Sequence, residues 1–160
     1  IESQCLFLIT TQQPIAGDLR MVSSILKVVT DVERIGDQIA DIAELVLQMD
    51  HTELETYSCH IQPMITAAKE MVHESMSAFL NRDRVKADEV IRSDDIVDSL
   101  FQKVKSDIVV RVKAESADAD ECLDVLMIAK YLERIGDHAV NICEWEIFRE
   151  TGTLQDTQVF

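Results

Sequence analysis

The pentapeptide Glu33-Arg-Ile-Gly-Asp37 returns unchanged as Glu133-Arg-Ile-Gly-Asp137, and both copies lie inside long stretches of helical periodicity. Aligning residues 25–44 with 125–144 leaves eight of twenty positions identical: Leu26/Leu126, the five motif residues, Ile42/Ile142 and Glu44/Glu144. A repeat of this kind marks a duplicated structural unit. Each copy presents two carboxylates one helical turn apart, so the repeat carries the chain's most evident chemistry as well as its architecture.

Working outward from the two copies, five helical stretches are predicted. The first covers residues 1–12 and stops before Pro14. Asp18, read as an N-cap, restarts a helix that runs to about Met49. A polar loop is expected over Asp50–Ser58. A third helix spans His60–Leu80, with Pro63 in its first turn and Met64, Ile65, Ala68, Met71, Val72, Met76 and Phe79 on its apolar face. After a turn at Asn81–Asp83, a fourth helix covers Arg84–Val112. A turn at Ala114–Asp118 leads to a fifth over Ala119–Glu150, ended by Thr151-Gly152. The tail, residues 153–160, shows no pattern and is expected to fray.

Long amphipathic helices joined by short loops predict an all-α fold of antiparallel helix bundles. The repeat makes these tandem three-helix units. Residues 60–152 form a complete second unit. Residues 1–52 are the C-terminal part of a first unit truncated at its N-terminus, and the chain, opening on Ile1 in helical sequence, reads as a fragment of a longer one.

Composition agrees. Apolar residues make up 47% and aromatics 5%, with four glycines and two prolines, which favours helix over sheet. A net charge of −15 excludes a nucleic-acid surface, which needs clustered Lys and Arg, and suits attraction of cations or a basic partner. Cys5, Cys59, Cys122 and Cys143 are scattered without a Cys-x-x-Cys pair, and Cys122 and Cys143 fall on apolar faces, so a reduced, cytoplasmic setting is expected. No apolar run reaches the ~20 residues of a membrane span, and no signal peptide is expected.

On a helical wheel, Val22, Leu26, Val29, Ala40 and Leu47 fall within about 40° of Glu33, with Asp37 at its edge. Arg20, Lys27, Arg34 and Gln38 gather on the polar side. Glu133 repeats the placement among Cys122, Leu126, Ala129 and Val140, with Asp137 beside it. A third pair, Asp94 and Asp98, is flanked by Val90, Val97, Phe101 and Ile108, a stripe that faces the fifth helix in a three-helix bundle. An unpaired carboxylate in a core-facing stripe costs several kcal/mol, so it must be protonated, paired or metal-bound. Four converging carboxylates form an all-oxygen site for a divalent or ferric cation. Gly36 and Gly136 cost ~1 kcal/mol each relative to Ala in mid-helix and allow a neighbouring helix or a metal to approach. The competing reading is a solvated acidic face neutralised in part by Lys130 or Lys105. His138 projects toward the polar pole and reads as a surface residue. Asp18 and Arg20 read as cap and surface charge. Glu44 and Glu144, about three turns away, can only extend a site.

Three segments, Gln12-Gln-Pro-Ile-Ala-Gly-Asp-Leu-Arg20, Asp31-Val-Glu-Arg-Ile-Gly-Asp37 and Leu132-Glu-Arg-Ile-Gly-Asp-His-Ala-Val-Asn-Ile-Cys-Glu144, resemble the PhoU family of phosphate-uptake regulators. The resemblance runs from about residue 1 to residue 152. It implies two tandem three-helix bundles whose Glu/Asp-x-x-x-Asp motifs hold iron or other metal ions, with zinc, nickel, calcium or magnesium as alternatives. Carried onto this chain, those motifs are Glu33/Asp37, Asp94/Asp98 and Glu133/Asp137. The missing first helix and second-helix acidic motif of the first repeat leave Glu33/Asp37 with half the expected ligands. The resemblance further implies a cytoplasmic homodimer that restrains the phosphate ABC transporter, through its ATPase, and the phosphate sensor histidine kinase.

No nucleophile–base pair, phosphate-binding glycine loop or His-Glu-x-x-His signature appears, so a non-enzymatic regulator is expected. A di-iron carboxylate enzyme would need Glu-x-x-His on two helices, and only Glu70-Met-Val-His73 fits, once. A helical adaptor that binds a basic partner without metal is the remaining alternative.

Overall fold

The fold is organised around one helix, the last, which carries the second motif and is covered on several sides by the others. In this computed structural model, which describes residues 1–49, 52–115, 118–154 and 157–158, the order is α1 (Glu2–Gln12), α2 (Gly17–Gln48), α3 (Thr52–Thr56), α4 (Ser58–Asn81), α5 (Arg84–Lys113) and α6 (Ala119–Thr151), followed by the two-residue strands β1 (Thr153–Leu154) and β2 (Thr157–Gln158). The all-α expectation holds, and no helix among the described residues is long and apolar enough to cross a membrane.

Local chemistry sets most helix ends. Asp83 caps α5 by accepting from the Lys86 amide at 3.0 Å. Asp118 caps α6 by accepting from the amides of Asp120 and Glu121 at 2.9 and 3.1 Å. Gly152, at φ 79°, closes α6 in the left-handed conformation glycine tolerates.

Four boundary expectations are corrected. Asp18 is not the N-cap of α2: Ala16 holds that position without a side-chain bond, and Asp18 lies in the first turn, where its charge still suits the helix dipole. Because α4 begins at Ser58, Pro63 falls in its second turn. The expected loop over 50–58 contains α3, while residues 50 and 51 lie outside the described set. At the chain end, Thr153 and Leu154 pair antiparallel with Gln158 and Thr157, so this part of the tail is a small ladder and not frayed coil.

Helix α6 packs against α2, α4 and α5. Its buried positions are mostly small or β-branched, including Val125, Ile128, Ala129, Ala139 and Ile142, which lets three neighbours approach it. From α4 come Met64, Ala68 and Met71, and from α5 Val97 and Val104. Ile65, expected on the apolar face of α4, is 40% exposed.

The α2–α6 seam is partly polar. Ser24 Oγ donates to the Trp145 carbonyl at 3.2 Å, and Arg20 Nε donates to the Arg149 carbonyl at 3.4 Å. Between these helices the buried Asp31 accepts through Oδ1 from His138 Nδ1 at 2.9 Å and Asn141 Nδ2 at 3.1 Å. A carboxylate has only acceptors, so the histidine proton is on Nδ1. His138, read from the sequence as a surface residue, is therefore an interhelical tether, and Arg20 is half-buried against α6.

Candidate metal centre

Asp94 and Asp98 stand one turn apart on α5, facing the turn of α6 that bears Glu133 and Asp137. Repulsion within the group shows at Asp94 and Asp137. Burial first, then the charges of Asp98, Asp137, Glu133 and Asp95, push the Asp94 carboxyl up to about 6. Burial and Glu133 likewise raise Asp137, while Lys130 pulls it down. Asp98, Asp137 and Glu133 thus lie near enough to Asp94 to act on its charge.

Gly136 makes the approach possible. A Cβ built on it would stand 3.0 Å from Asp94 Oδ1 and 3.6 Å from the Met71 methyl. A real Cβ at that distance would make the carboxyl give by a few tenths of an ångström. Asp94 Oδ1 is buried there and accepts no hydrogen bond. A buried carboxylate oxygen without a partner is costly unless it is protonated or meets a cation. Glu133 is the other enclosed member, with its side chain 14% exposed and paired to Lys130 Nζ. Asp98 and Asp137 lie toward solvent.

The donor set therefore fits a hard cation: all oxygen, one oxygen orphaned, and a glycine where a methyl would intrude. Yet among the described residues no three His, Cys, Asp or Glu side chains already stand in an arrangement that holds an ion. Lys130 holding Glu133 is one visible reason, and it makes concrete the neutralisation that the sequence left as the competing reading.

Glu33 and Asp37 do not join this site. Both are exposed, and among the described residues Asp37 pairs with Arg34 of its own helix, at 3.5 Å. Glu33 was expected inside the core-facing stripe, but α2 turns a different register, Val28, Asp31, Ile35 and Gln38, toward α6. Of the stripe around Glu33, Val22 is buried, Leu26 and Val29 are half-buried, Ala40 is exposed and Leu47 is 86% exposed. Gln38, placed on the polar side of the wheel, is buried. The helix carries two apolar stripes, and the one around Glu33 is only partly covered, at its N-terminal end. Nor does Gly36 meet anything: its added Cβ would have no neighbour within 4 Å.

Asp31, His138 and Asn141 were missed as a group. The signal was a 3-4-3 spacing, Val28-Asp31-Ile35-Gln38, with polar residues inside an apolar seam. The lone Glu-x-x-His, Glu70 and His73, lies on an exposed part of α4, where His73 Nδ1 meets Glu74 at 3.0 Å.

A helical bundle with one motif-bearing helix at its centre and a carboxylate cluster on its flank is the class of protein these features define. The PhoU domain family model matches residues 1–46 and 61–145. The phosphate-specific transport system accessory protein PhoU homolog of Clostridium acetobutylicum is 36% identical over 157 residues, which cover 98% of this chain and 72% of that protein. The homolog of the same name from Borreliella burgdorferi is 32% identical over 157 residues, 95% of this chain and 70% of that one. In three dimensions, the crystal structure of the phosphate transport system regulatory protein PhoU from Streptococcus pneumoniae matches with a TM-score of 0.86 at 30% identity, covering 97% of this chain and 72% of its own. This chain belongs to the PhoU family.

Proposed function

We propose that the protein is an accessory regulator of phosphate transport that acts through protein contacts and carries a metal ion as a structural or sensing element. Its relatives bear the name phosphate-specific transport system accessory protein. In this reading it restrains phosphate uptake and starvation signalling in the cytoplasm, as a homodimer, by contacting the transporter ATPase and the sensor kinase. Residues 1–52 and 60–152 act as the two repeats.

The metal site is assigned to Asp94, Asp98, Glu133 and Asp137. The observation that carries it is the buried, partnerless Oδ1 of Asp94, held against Gly136 and facing three further carboxylates. A bound cation would supply the charge this oxygen lacks and lock α5 to α6. Iron is the leading candidate among the cations such oxygens take, with zinc, nickel, calcium and magnesium also compatible. Glu33 and Asp37 bring half a ligand set on an open face and bind an ion only with ligands from elsewhere.

Metal analysis of the purified protein beside Glu133→Ala/Asp137→Ala tests the assignment. Bound metal that disappears in the double variant supports it. A metal-free wild type that still binds the ATPase or kinase supports the second reading, an acidic helical adaptor for a basic surface. That reading draws on the Lys130–Glu133 pair and the net charge of −15.

A further inference from the structure

Four carboxylates share the α5–α6 flank, and among the described residues a single cationic side chain pairs with any of them. That side chain is Lys130, whose Nζ contacts Glu133 Oε2 and whose charge also pulls the pKa of Asp137 down. Its ammonium lies over the Phe101 ring of α5, 5.4 Å from the centroid. It therefore spans the gap between the two helices at the level of the cluster.

The two partners differ in mobility of environment. Glu133 is enclosed, with 14% of its side chain exposed, whereas Lys130 keeps 43% exposed. An enclosed carboxylate cannot leave for water, but a lysine on a flexible four-carbon stem can, with its aliphatic part still resting on the bundle. We propose that Lys130 is a resident counter-ion: it occupies the cation position at Glu133 in the metal-free protein and swings into solvent when a metal ion enters. The inference rests on the metal reading above and deepens it. Lys130 then sets the threshold affinity of the site, because an entering ion must displace an ammonium as well as water. It also accounts for a cluster whose donors fit a cation but are not arranged around one.

The test is a Mn(II) titration, chosen because manganese favours oxygen donors, on wild type, Lys130→Met, Lys130→Arg and Lys113→Met. Methionine keeps an unbranched apolar stem and removes the charge, and with it the cation over Phe101. Lys113, exposed at the end of α5, controls for the change in net charge. Lys130→Met is expected to bind Mn(II) about tenfold more tightly, after discounting for solvent exposure. Lys130→Arg and Lys113→Met should stay within about twofold of wild type, as a retained charge and a distant one require. The metal-free Lys130→Met protein should also melt below wild type, and Mn(II) should close that gap. Equal affinity of wild type and Lys130→Met overturns the counter-ion and leaves the metal site standing. Weaker binding by Lys130→Met also overturns it, since the lysine would then be holding Glu133 in place for the metal. Absence of Mn(II) binding in wild type and in every variant overturns both the counter-ion and the site.

Discussion

At Gly136 a methyl group would stand 3.0 Å from Asp94 Oδ1, whereas at Gly36 it would meet nothing within 4 Å. The two glycines occupy identical pentapeptides, so the difference lies entirely in which helix passes by. Carboxylates at i and i+4, and the apolar neighbours that flank them, were legible because spacing along one helix fixes a face. Which of two identical faces meets a partner was not, because that depends on residues far away in sequence. Asp94 gives the clearest consequence at this scale. Its carboxyl is raised from 3.8 to about 6 in the folded protein, so the fold favours its protonated form. The stability linked to it is fully present below about pH 4 and is lost as pH rises through about 6. In metal-free protein, Asp94→Asn removes this loss. The variant is expected to be more stable than wild type at pH 8, by on the order of 1 kcal/mol once the shift is discounted for partial exposure. Near pH 4 the difference should nearly vanish. Urea denaturation at both pH values measures it, and a gap independent of pH would show that Asp94 is ionised in the fold at no cost.

Elements with caps at both ends were the most legible. Asp83 and Asp118 announce the starts of α5 and α6, and Gly152 the end of α6, because each satisfies orphan backbone groups through local chemistry. Helix α3 left no such signature. Five residues cannot sustain a helix alone, and α3 is held from outside: the buried Glu53 takes a two-pronged bond from Arg111 at 2.7 and 3.3 Å. Tyr57, directly after it, stacks under the same guanidinium with 5.4 Å to the ring centroid and touches Cys122 Sγ through its hydroxyl at 3.8 Å. Burial, with the Cys122 contact adding to it, pushes that hydroxyl up to about 12, so it remains a neutral phenol. Glu53→Ala withdraws the carboxylate from a buried pair and is expected to cost about 3 kcal/mol. Amide exchange should accelerate first in residues 53–57, because α3 opens before the bundle does. A loss under ~1 kcal/mol, in the range of exposed ion pairs, would mean that α3 is held by its apolar contacts and not by Arg111.

At the scale of the whole molecule, duplication could be read from eight matching letters, but the relation between the copies could not. The sequence treats each motif helix as one side of its own unit. In the structure α2 lies along α6, so both motif helices share a core, and the polar bonds of Asp31 with His138 and Asn141 run between them. A second global property was legible at once, the net charge of −15, and its consequence divides into two parts that experiment can separate. Diffuse repulsion among exposed acids is screened by any salt. The Debye length shrinks from ~30 Å at 0.01 M to ~8 Å at 0.15 M, so NaCl over that range is expected to raise the melting temperature by roughly 3 °C or more. Repulsion inside the α5–α6 cluster is short-range and partly buried, and monovalent salt reaches it poorly. Mn(II) at matched ionic strength should therefore add a further rise, saturating as a single site fills. Glu133→Ala/Asp137→Ala should abolish that increment while leaving the NaCl response intact. If NaCl and Mn(II) at equal ionic strength raise the melting temperature equally in both proteins, the cluster acts only as part of the general negative charge, and its convergence has no specific cation to serve.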